Sequence, residues 1–437
     1  MIQTFFFKAS KNTPSPANEL KRLIQASLRG RGSIFCNIFY KLYLEPITAH
    51  NRLKLSVDNE PITSYNRLMR YNWQQPDWPN FHYDLSDLYE TLIAIAEKTG
   101  RIQGKISHLD KDLQTEALIS LMVEEAVKTS EIEGEYISRP DVRSSIKNKL
   151  GLNSQTVRVN DKRAQGVVEL LFDMRNTFQQ PLTQDQLFNW HLMLLSSSLN
   201  PNLTIASWRS HEEPMQIVSG HHGKWLVHFE APPSQDVPKE MQQFFAWFNT
   251  TAPTASQAIK YAPVRAAIAH LYFESIHPFE DGNGRIGRAI AEKALLQGFG
   301  YSALLSLSHA IEADKKSYYQ ALNAASKSNE ITSWIKYFVN TLLNALDETD
   351  KQVSFILSTS IFWDKFKDLL NPRQIKAIKR MMQAGTKGFE GGMSAKKYMV
   401  ITDTSKATAT RDLQQLLAIG AFKQIGSGRS VRYDLGL

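Results

Sequence analysis

His277-Pro278-Phe279-Glu280-Asp281-Gly282-Asn283-Gly284-Arg285-Ile286-Gly287-Arg288 is the stretch of this 437-residue chain on which its reading turns. It lies between two helical patterns, Ala262–Ile276 and Gly287–Gln297. Gly282 and Gly284 let backbone approach an anion without Cβ collisions. The helix that follows turns its free N–H groups and positive dipole end toward the same place. Asn283 adds a side-chain amide donor. Asp281 is a hard oxygen ligand suited to Mg²⁺ held jointly with phosphates. Arg285 and Arg288, three apart on one helix face, can grip phosphate oxygens bidentately. His277 is the residue here that titrates near neutrality, so it can take a proton from an incoming hydroxyl. A tight interhelical loop does not gather so many phosphate-handling groups by accident. A phosphate cradle without catalysis would have no use for His277.

Outward from this motif the pattern is mostly helical. Asp84–Gly100, Leu113–Glu133, Asp161–Phe178, Thr183–Ser197 and Val237–Asn249 precede it; Tyr318–Lys327 and Glu330–Asp347 follow. In the second helix the apolar stripe of Leu118, Leu121, Met122 and Ala126 is interrupted by Glu125. Gly134 is placed to end that helix as a C′ residue. Trp73, Trp78, Phe81 and Tyr83, around Pro76 and Pro79, read as an aromatic lead-in that staples a chain end to a core. Gln216–Val218 and Trp225–Phe229, joined by Gly220-His221-His222-Gly223, read as a β-hairpin. Asn371–Ala384, Ser394–Tyr398 and Ser405–Ile419 are helical, and Ala421–Ile425 and Val431–Leu435 are alternating strands. Helix, helix, helix, two-stranded ribbon is the order of a winged helix-turn-helix.

Composition sets the outer limits. Apolar residues are 42% and charged residues 22%, so a sizeable core is feasible and global disorder is excluded. A single cysteine, Cys36, excludes a disulfide framework and a multi-Cys zinc site. No run of about 18 apolar residues predicts a membrane span. The start, MIQTFFFKASKN, lacks a secretory h-region, so a cytoplasmic address is expected. Of the net charge of +8, residues 1–68 hold +6 (ten Lys/Arg, four Asp/Glu) and residues 69–437 only +2 (41 and 39). Residues 1–68 read as a basic, poorly ordered extension, or as a start assigned too early with Met69 the natural beginning. His211, His221, His222 and His228 lack a metal-ligand spacing and are read as solvated or hairpin-tip residues.

The motif resembles the signature of the Fic family, H-P-F-x-(D/E)-G-N-G-R-x-x-R, at every fixed position. The resemblance covers most of residues 69–345. It implies a mainly α fold: a Fic-type helical core with a β-hairpin flap, a helical domain before it and a winged helix-turn-helix after it. The expected bounds are 69–150, 151–350 and 355–437. Members of the family transfer AMP from ATP to a hydroxyl of a target protein. The resemblance implies that His277 is the general base and that Asp281 holds Mg²⁺. Asn283, with the amides of Gly282 and Gly284, would form the anion hole beside Gly287. Arg285 and Arg288 would hold the β- and γ-phosphates. Gly284 stands where the phospho-transferring branch has Lys, which favours AMP transfer, with other nucleotidyl donors left open. Gln216-Ile217-Val218 resembles the flap that pins a target segment by strand addition. Tyr318 and Tyr319 resemble residues lining the adenine pocket, although adjacent helical tyrosines are commonly core.

Thr129-Ser130-Glu131-Ile132-Glu133-Gly134 resembles the family's inhibitory motif, (S/T)-x-x-x-E-(G/N). A carboxylate brought to Arg288 would compete with the γ-phosphate and leave the α-phosphate misaligned for attack. The expectation is an Mg²⁺- and ATP-dependent protein adenylyltransferase, inhibited by its own Glu133. Its partners would be ATP, a protein target and its own chain through self-modification; a homodimer is left open. Two other readings use the same residues. Removal of AMP from a modified protein would employ Glu133 to position water. A DNA-binding regulator would use the C-terminal helices, through Lys406, Arg411, Lys423, Arg429 and Arg432, with the motif as a sensor.

Overall fold

The computed structural model describes residues 71–198, 200–221, 224–301 and 305–437. Residues 1–68, with the calls made on them, and His222 lie outside these. The described chain is mainly helical. In order it runs through α1 (Tyr89–Ser107), α2 (Lys111–Ile132), α3 (Arg139–Lys149), α4 (Lys162–Asn176) and α5 (Gln184–Leu195). A hairpin of β1 (Gln216–His221) and β2 (Lys224–Glu230) follows, then α6 (Val237–Thr250), α7 (Ala262–Ile276), α8 (Asn283–Phe299), α9 (Leu307–Ala313) and α10 (Lys315–Ala325). The long α11 (Thr332–Phe366) leads to α12 (Pro372–Met382), α13 (Ala395–Thr402), α14 (Lys406–Ala418), β3 (Phe422–Ile425) and β4 (Arg432–Leu435).

At the centre, α7 is buried on all sides from Pro263 to Ile276. Its sequence explains this, because Ala262, Ala266, Ala267 and Ala269 allow neighbours close approach and Val264, Ile268, Leu271 and Phe273 fill the gaps. α8 packs on it and is itself buried over most of Asn283–Leu296. One apolar cluster runs from Leu88 to Val353, so the segments expected as separate domains at 69–150 and 151–350 share a core. A second cluster, from Phe362 to Phe422, belongs to the C-terminal helices and ribbon. α11 contributes Trp334 and Phe338 to the first and Phe362 and Phe366 to the second. It therefore runs unbroken through 350–355, between the bounds expected for the last two domains. The apolar repeat continues past Asp347 through Val353 and Phe362, and nothing in it stops the helix.

The aromatic lead-in is a staple. Trp78 and Phe81 meet the ring of Tyr272 on α7 edge-on, with centroids 5.1 and 5.6 Å away. Asn72 Nδ2 donates to Ser275 Oγ at 2.7 Å, and Trp73 Nε1 to the Glu230 carbonyl at 2.7 Å. The lead-in thus joins the hairpin to the helix that carries the motif. Sequence periodicity missed α3 and α9, which are short and capped by Ser138 and Ser306.

Candidate active site

The motif is the connection between α7 and α8, and its shape begins with one residue in an unusual conformation. His277 ends α7 with φ 50° and ψ 60°, a left-handed geometry that costs a non-glycine residue of order 1–3 kcal/mol. Arg209, itself buried, holds it there. Arg209 Nε donates to the His277 carbonyl at 2.8 Å and Nη2 to that of Ile276 at 3.3 Å, while its amide donates to the Pro278 carbonyl at 3.0 Å. The same guanidinium donates to the Pro232 carbonyl at 2.5 Å, just past β2, so it ties the end of the hairpin to His277. The His277 side chain is buried, and its Nδ1 lies 3.6 Å from Glu274 Oε2. That is too long for a hydrogen bond but close enough for charge to matter. Burial would raise the pKa of Glu274; His277, His270 and Arg288 outweigh it and hold the carboxyl below its usual value. With a carboxylate beside Nδ1, Nε2 is the nitrogen left to accept a proton from outside.

Asn283 does something other than the sequence suggested. Its Oδ1 accepts from the Phe279 amide at 3.0 Å and its Nδ2 donates to the Phe279 carbonyl at 2.8 Å. Both polar atoms of the side chain are thus used in folding the loop, and the free first-turn amides of α8 are main-chain donors. Gly282 makes them possible. It precedes α8 with φ 81° and, lacking a side chain, leaves the first-turn amides of Asn283, Gly284 and Arg285 uncapped. Asp281 is about half exposed, and its Oδ1 accepts from the Gly282 amide at 2.6 Å. A hard carboxylate oxygen fixed in this way at the mouth of an anion cradle fits a magnesium ion shared with phosphates. His191 braces the loop from α5. Its ring stacks on Phe279 with centroids 4.1 Å apart, Nδ1 accepts from the Ala206 amide at 2.9 Å, and Nε2 donates to the Asp281 carbonyl at 3.1 Å. Burial pushes His191 down to about 4, so this tautomer is neutral at neutral pH. Glu280 accepts from the Thr204 amide and hydroxyl at 3.0 and 3.1 Å.

Both arginines of α8 are buried and both already face an acid. Arg288 Nη1 stands 2.8 Å from Glu133 Oε1, and its Nε and Nη2 donate to Thr129 Oγ1 and the Thr129 carbonyl, each at 2.9 Å. Burial opposes the charge on Arg288, but Glu133 more than restores it, so the guanidinium is held more firmly protonated than in water. Arg285 Nη1 donates to Glu135 Oε2 at 2.7 Å. Both acids come from the end of α2, which stops because Gly134 adopts φ 79°. The Gly134 amide bonds to the Glu131 carbonyl and the Glu135 amide to that of Ser130, at 3.0 and 2.9 Å. This Schellman turn fixes the residues on either side of Gly134 toward α8.

Two glycines of α8 are spaces already filled by acid. A Cβ on Gly284 would sit 2.1 Å from Glu133 Oε1, and one on Gly287 2.5 Å from Glu274 Oε1. Tyr318 is buried with its hydroxyl 2.8 Å from His270 Nε2, so it sits inside the core. Tyr319, half-buried, donates to the carbonyl of Ile132 at 3.2 Å, beside Glu133. In the hairpin, Gln216 pairs with Glu230, Ile217 with Phe229 and Val218 with Val227, with a bulge between Ile217 and Val218. All three are partly exposed. His211 Nδ1 lies 2.7 Å from the Glu213 carbonyl and His228 Nε2 2.6 Å from Ser219 Oγ, and among the described residues no group of three or more His, Cys, Asp or Glu gathers to hold a metal.

The structure thus brings His277, Asp281, Gly282, Asn283, Gly284, Arg285, Gly287, Arg288 and Glu133 to one place. Sequence reading missed Glu274, Glu135, His191 and Arg209. Glu274 carried a signal, the one acid in a largely apolar helix, three residues before His277. Glu135 carried another, a second acid one residue past the stop glycine.

Two parts of the chain match families of known proteins. Residues 71–152 match a family described as a domain of unknown function (DUF4172), and residues 181–295 match the Fic/DOC family. A protein adenylyltransferase Fic of Nematostella vectensis is 23% identical over 235 residues, 53% of this chain and 48% of that protein. One of Aedes aegypti is 27% identical over 139 residues, 31% of this chain and 26% of that protein. The chain therefore spans about half or less of the length of these curated relatives. Among solved structures, a Fic family protein of Desulfovibrio desulfuricans is similar at 20% identity and a TM-score of 0.46, covering 80% of this chain and 96% of that one. With the complete motif on α7 and α8 and the family match across it, residues 181–295 form a Fic/DOC domain.

Proposed function

We propose that the chain is a protein adenylyltransferase that uses ATP and Mg²⁺ and is held off by Glu133. One observation carries this: Arg288, the deepest cation of the motif, donates to Thr129 through Nε and Nη2 and has Glu133 Oε1 2.8 Å from Nη1, beside first-turn amides of α8 that no side chain caps. ATP would place its phosphates over those amides, with Arg285 and Arg288 on the β- and γ-groups. Asp281 would hold magnesium, which supplies neutralisation of phosphate charge when bound. His277 Nε2 takes the proton of the target hydroxyl as its oxygen bonds to the α-phosphorus. The bond from that phosphorus to the bridging oxygen breaks, and pyrophosphate leaves. Glu274 stabilises the imidazolium that results. The hairpin, tethered to His277 through Arg209, would present the target segment along Gln216, Ile217 and Val218. No helix among the described residues is long and apolar enough to cross a membrane, and we place the protein in the cytoplasm with self-modification among its reactions.

Incubation with α-labelled ATP, Mg²⁺ and cell extract tests this. Glu133→Gly should label itself and a target, and His277→Ala placed in that background should lose labelling by at least about 100-fold, the range of a general base. Undiminished labelling without His277 would sink the assignment. If Glu133→Gly instead abolishes release of AMP from a modified protein, the reverse reaction is the right one.

A further inference from the structure

Averaging over residues 69–437 conceals where the charge lies. Residues 371–437 hold twelve Lys/Arg and four Asp/Glu, a net of +8 in 67 residues. That leaves 29 of the 41 Lys/Arg and 35 of the 39 Asp/Glu to residues 69–370, a net of −6. One of the four C-terminal acids is not a surface charge. Asp412 is buried and accepts from Arg373 Nε at 2.9 Å, Tyr398 Oη at 3.0 Å and Asn371 Nδ2 at 3.1 Å. It therefore locks α14 to α13 and to the start of α12.

The lock fixes which face of α14 points outward. Ala409, Asp412, Leu413 and Leu416 are buried, whereas Lys406, Ala407, Thr410, Arg411, Gln414 and Gln415 are exposed. Positions 406, 410 and 414, with 407 and 411 beside them, form one continuous face along a helix about 20 Å long. No acid lies on it, and its only apolar residue is alanine. Its chemistry is two cations, a methyl-bearing hydroxyl and amides. Cations alone would serve any anionic surface. Arg can also donate two bonds to the O6 and N7 of guanine, Gln can donate to N7 and accept from N6 of adenine, and a threonine methyl can meet the thymine methyl. The flank is built to match. β3 pairs with β4 from Phe422 with Leu435 to Ile425 with Arg432, and Met393 adds a bridge to Tyr433 through bonds of 2.7 and 2.8 Å. This ribbon presents Lys423 and Gln424, and the preceding helix presents Lys396, all exposed.

We propose that residues 371–437 bind double-stranded DNA, with α14 in the major groove, Lys406 and Arg411 on phosphate and base edges, and the ribbon beside the backbone. The groove of B-form DNA admits an α-helix; that of A-form RNA is too narrow, and a lipid surface would make no use of the amides. The proposal does not depend on nucleotide transfer, and its readout is separate.

The test uses the full chain and a fluorescein-labelled 30-base-pair duplex of mixed sequence, followed by anisotropy in KCl. Four phosphate contacts give a slope of log affinity against log salt of about −3.6, a weakening of roughly 150-fold between 50 and 200 mM. The double variant Lys406→Glu/Arg411→Glu should bind at least about 30-fold more weakly at unchanged melting temperature and unchanged labelling from ATP. Thr410→Tyr, which keeps the net charge but adds bulk to the inserting face, should also weaken binding. Double-stranded RNA of the same sequence and vesicles of equal phosphatidylserine and phosphatidylcholine should compete poorly. The proposal is overturned by no binding at 50 mM KCl, by wild-type affinity in either variant, or by RNA or vesicles competing as well as DNA.

Discussion

Replacing Glu133 by glycine removes one carboxylate from the end of α2 and nothing from the motif. Arg288 would keep its two bonds to Thr129 and lose only the charge 2.8 Å away. Two unit charges about 4 Å apart between centres attract by roughly 4 kcal/mol at an effective dielectric near 20. Arg288 is 2% exposed, but Glu133 is 26% exposed, so water screens part of this. A remainder of about 1.5–3 kcal/mol is reasonable for a pair buried on one side. Each 1.4 kcal/mol is tenfold, so the productive ATP-bound population should rise by roughly 10- to 100-fold. The assay is initial rate of label transfer from α-labelled ATP at fixed Mg²⁺, wild type against Glu133→Gly. Adding Arg288→Ala to that variant should erase the gain, because the freed guanidinium is what the mutation exposes. Equal rates for wild type and Glu133→Gly would refute the reasoning, as would a gain that survives loss of Arg288.

Three further expectations follow from neighbouring geometry. Glu135→Gln should free Arg285 and raise transfer only about 2- to 5-fold, since Glu135 is partly exposed and its pair is screened; added to Glu133→Gly, it should multiply the larger gain in the same rate assay. Gly287→Ala pushes a Cβ to 2.5 Å from the buried Glu274 Oε1; a cost of about 1–3 kcal/mol should appear as a lower Tm, with reduced transfer because Glu274 moves relative to His277. His191 has its folded pKa at about 4, below the unfolded value, so the unfolded state binds the extra proton first. The stability it contributes is complete above pH 6.5 and is lost as pH falls toward 4, up to about 3 kcal/mol; urea unfolding across that window should show this slope in wild type and not in His191→Gln.

The motif was legible because its chemistry is carried by residues adjacent in sequence. Twelve consecutive positions hold the proposed base, the proposed metal oxygen, the amides and both arginines, and the fold keeps them together simply by turning from α7 to α8. What supports them is distant in sequence. His191 is 90 residues from the Asp281 carbonyl it bonds. Arg209 is 68 residues from His277. Neither has a periodicity or spacing to announce it. Asn283 was read only in part, for a different reason. An amide between two helices can serve a ligand or the loop itself, and only the two bonds to Phe279 show that it serves the loop. The end of α2 lies between these cases: Gly134 marked the stop, but only the Schellman turn explains why acids on both sides of it reach α8. The C-terminal charge was hidden by averaging, since a domain of +8 next to one of −6 looks neutral.

The proposed inhibitory contact depends on the same missing side chain that the proposed cradle needs. Gly284 has no Cβ, which lets a phosphate come against the first-turn amides of α8. That space is where Glu133 now lies, with its Oε1 2.1 Å from the position a Cβ would take and Arg288 Nη1 3.2 Å from it. The carboxylate is thus a competitor for room as well as for charge. Charge alone would let a high ATP concentration or raised salt relieve inhibition by screening a pair. Occupied volume does not screen: the Glu133 carboxylate has to leave that space, and the end of α2 that carries it is held by Tyr319 on the Ile132 carbonyl and by Arg285 on Glu135. Release of the proposed enzyme therefore has to come from whatever displaces α2, and nucleotide binding by itself is a weak way to do it.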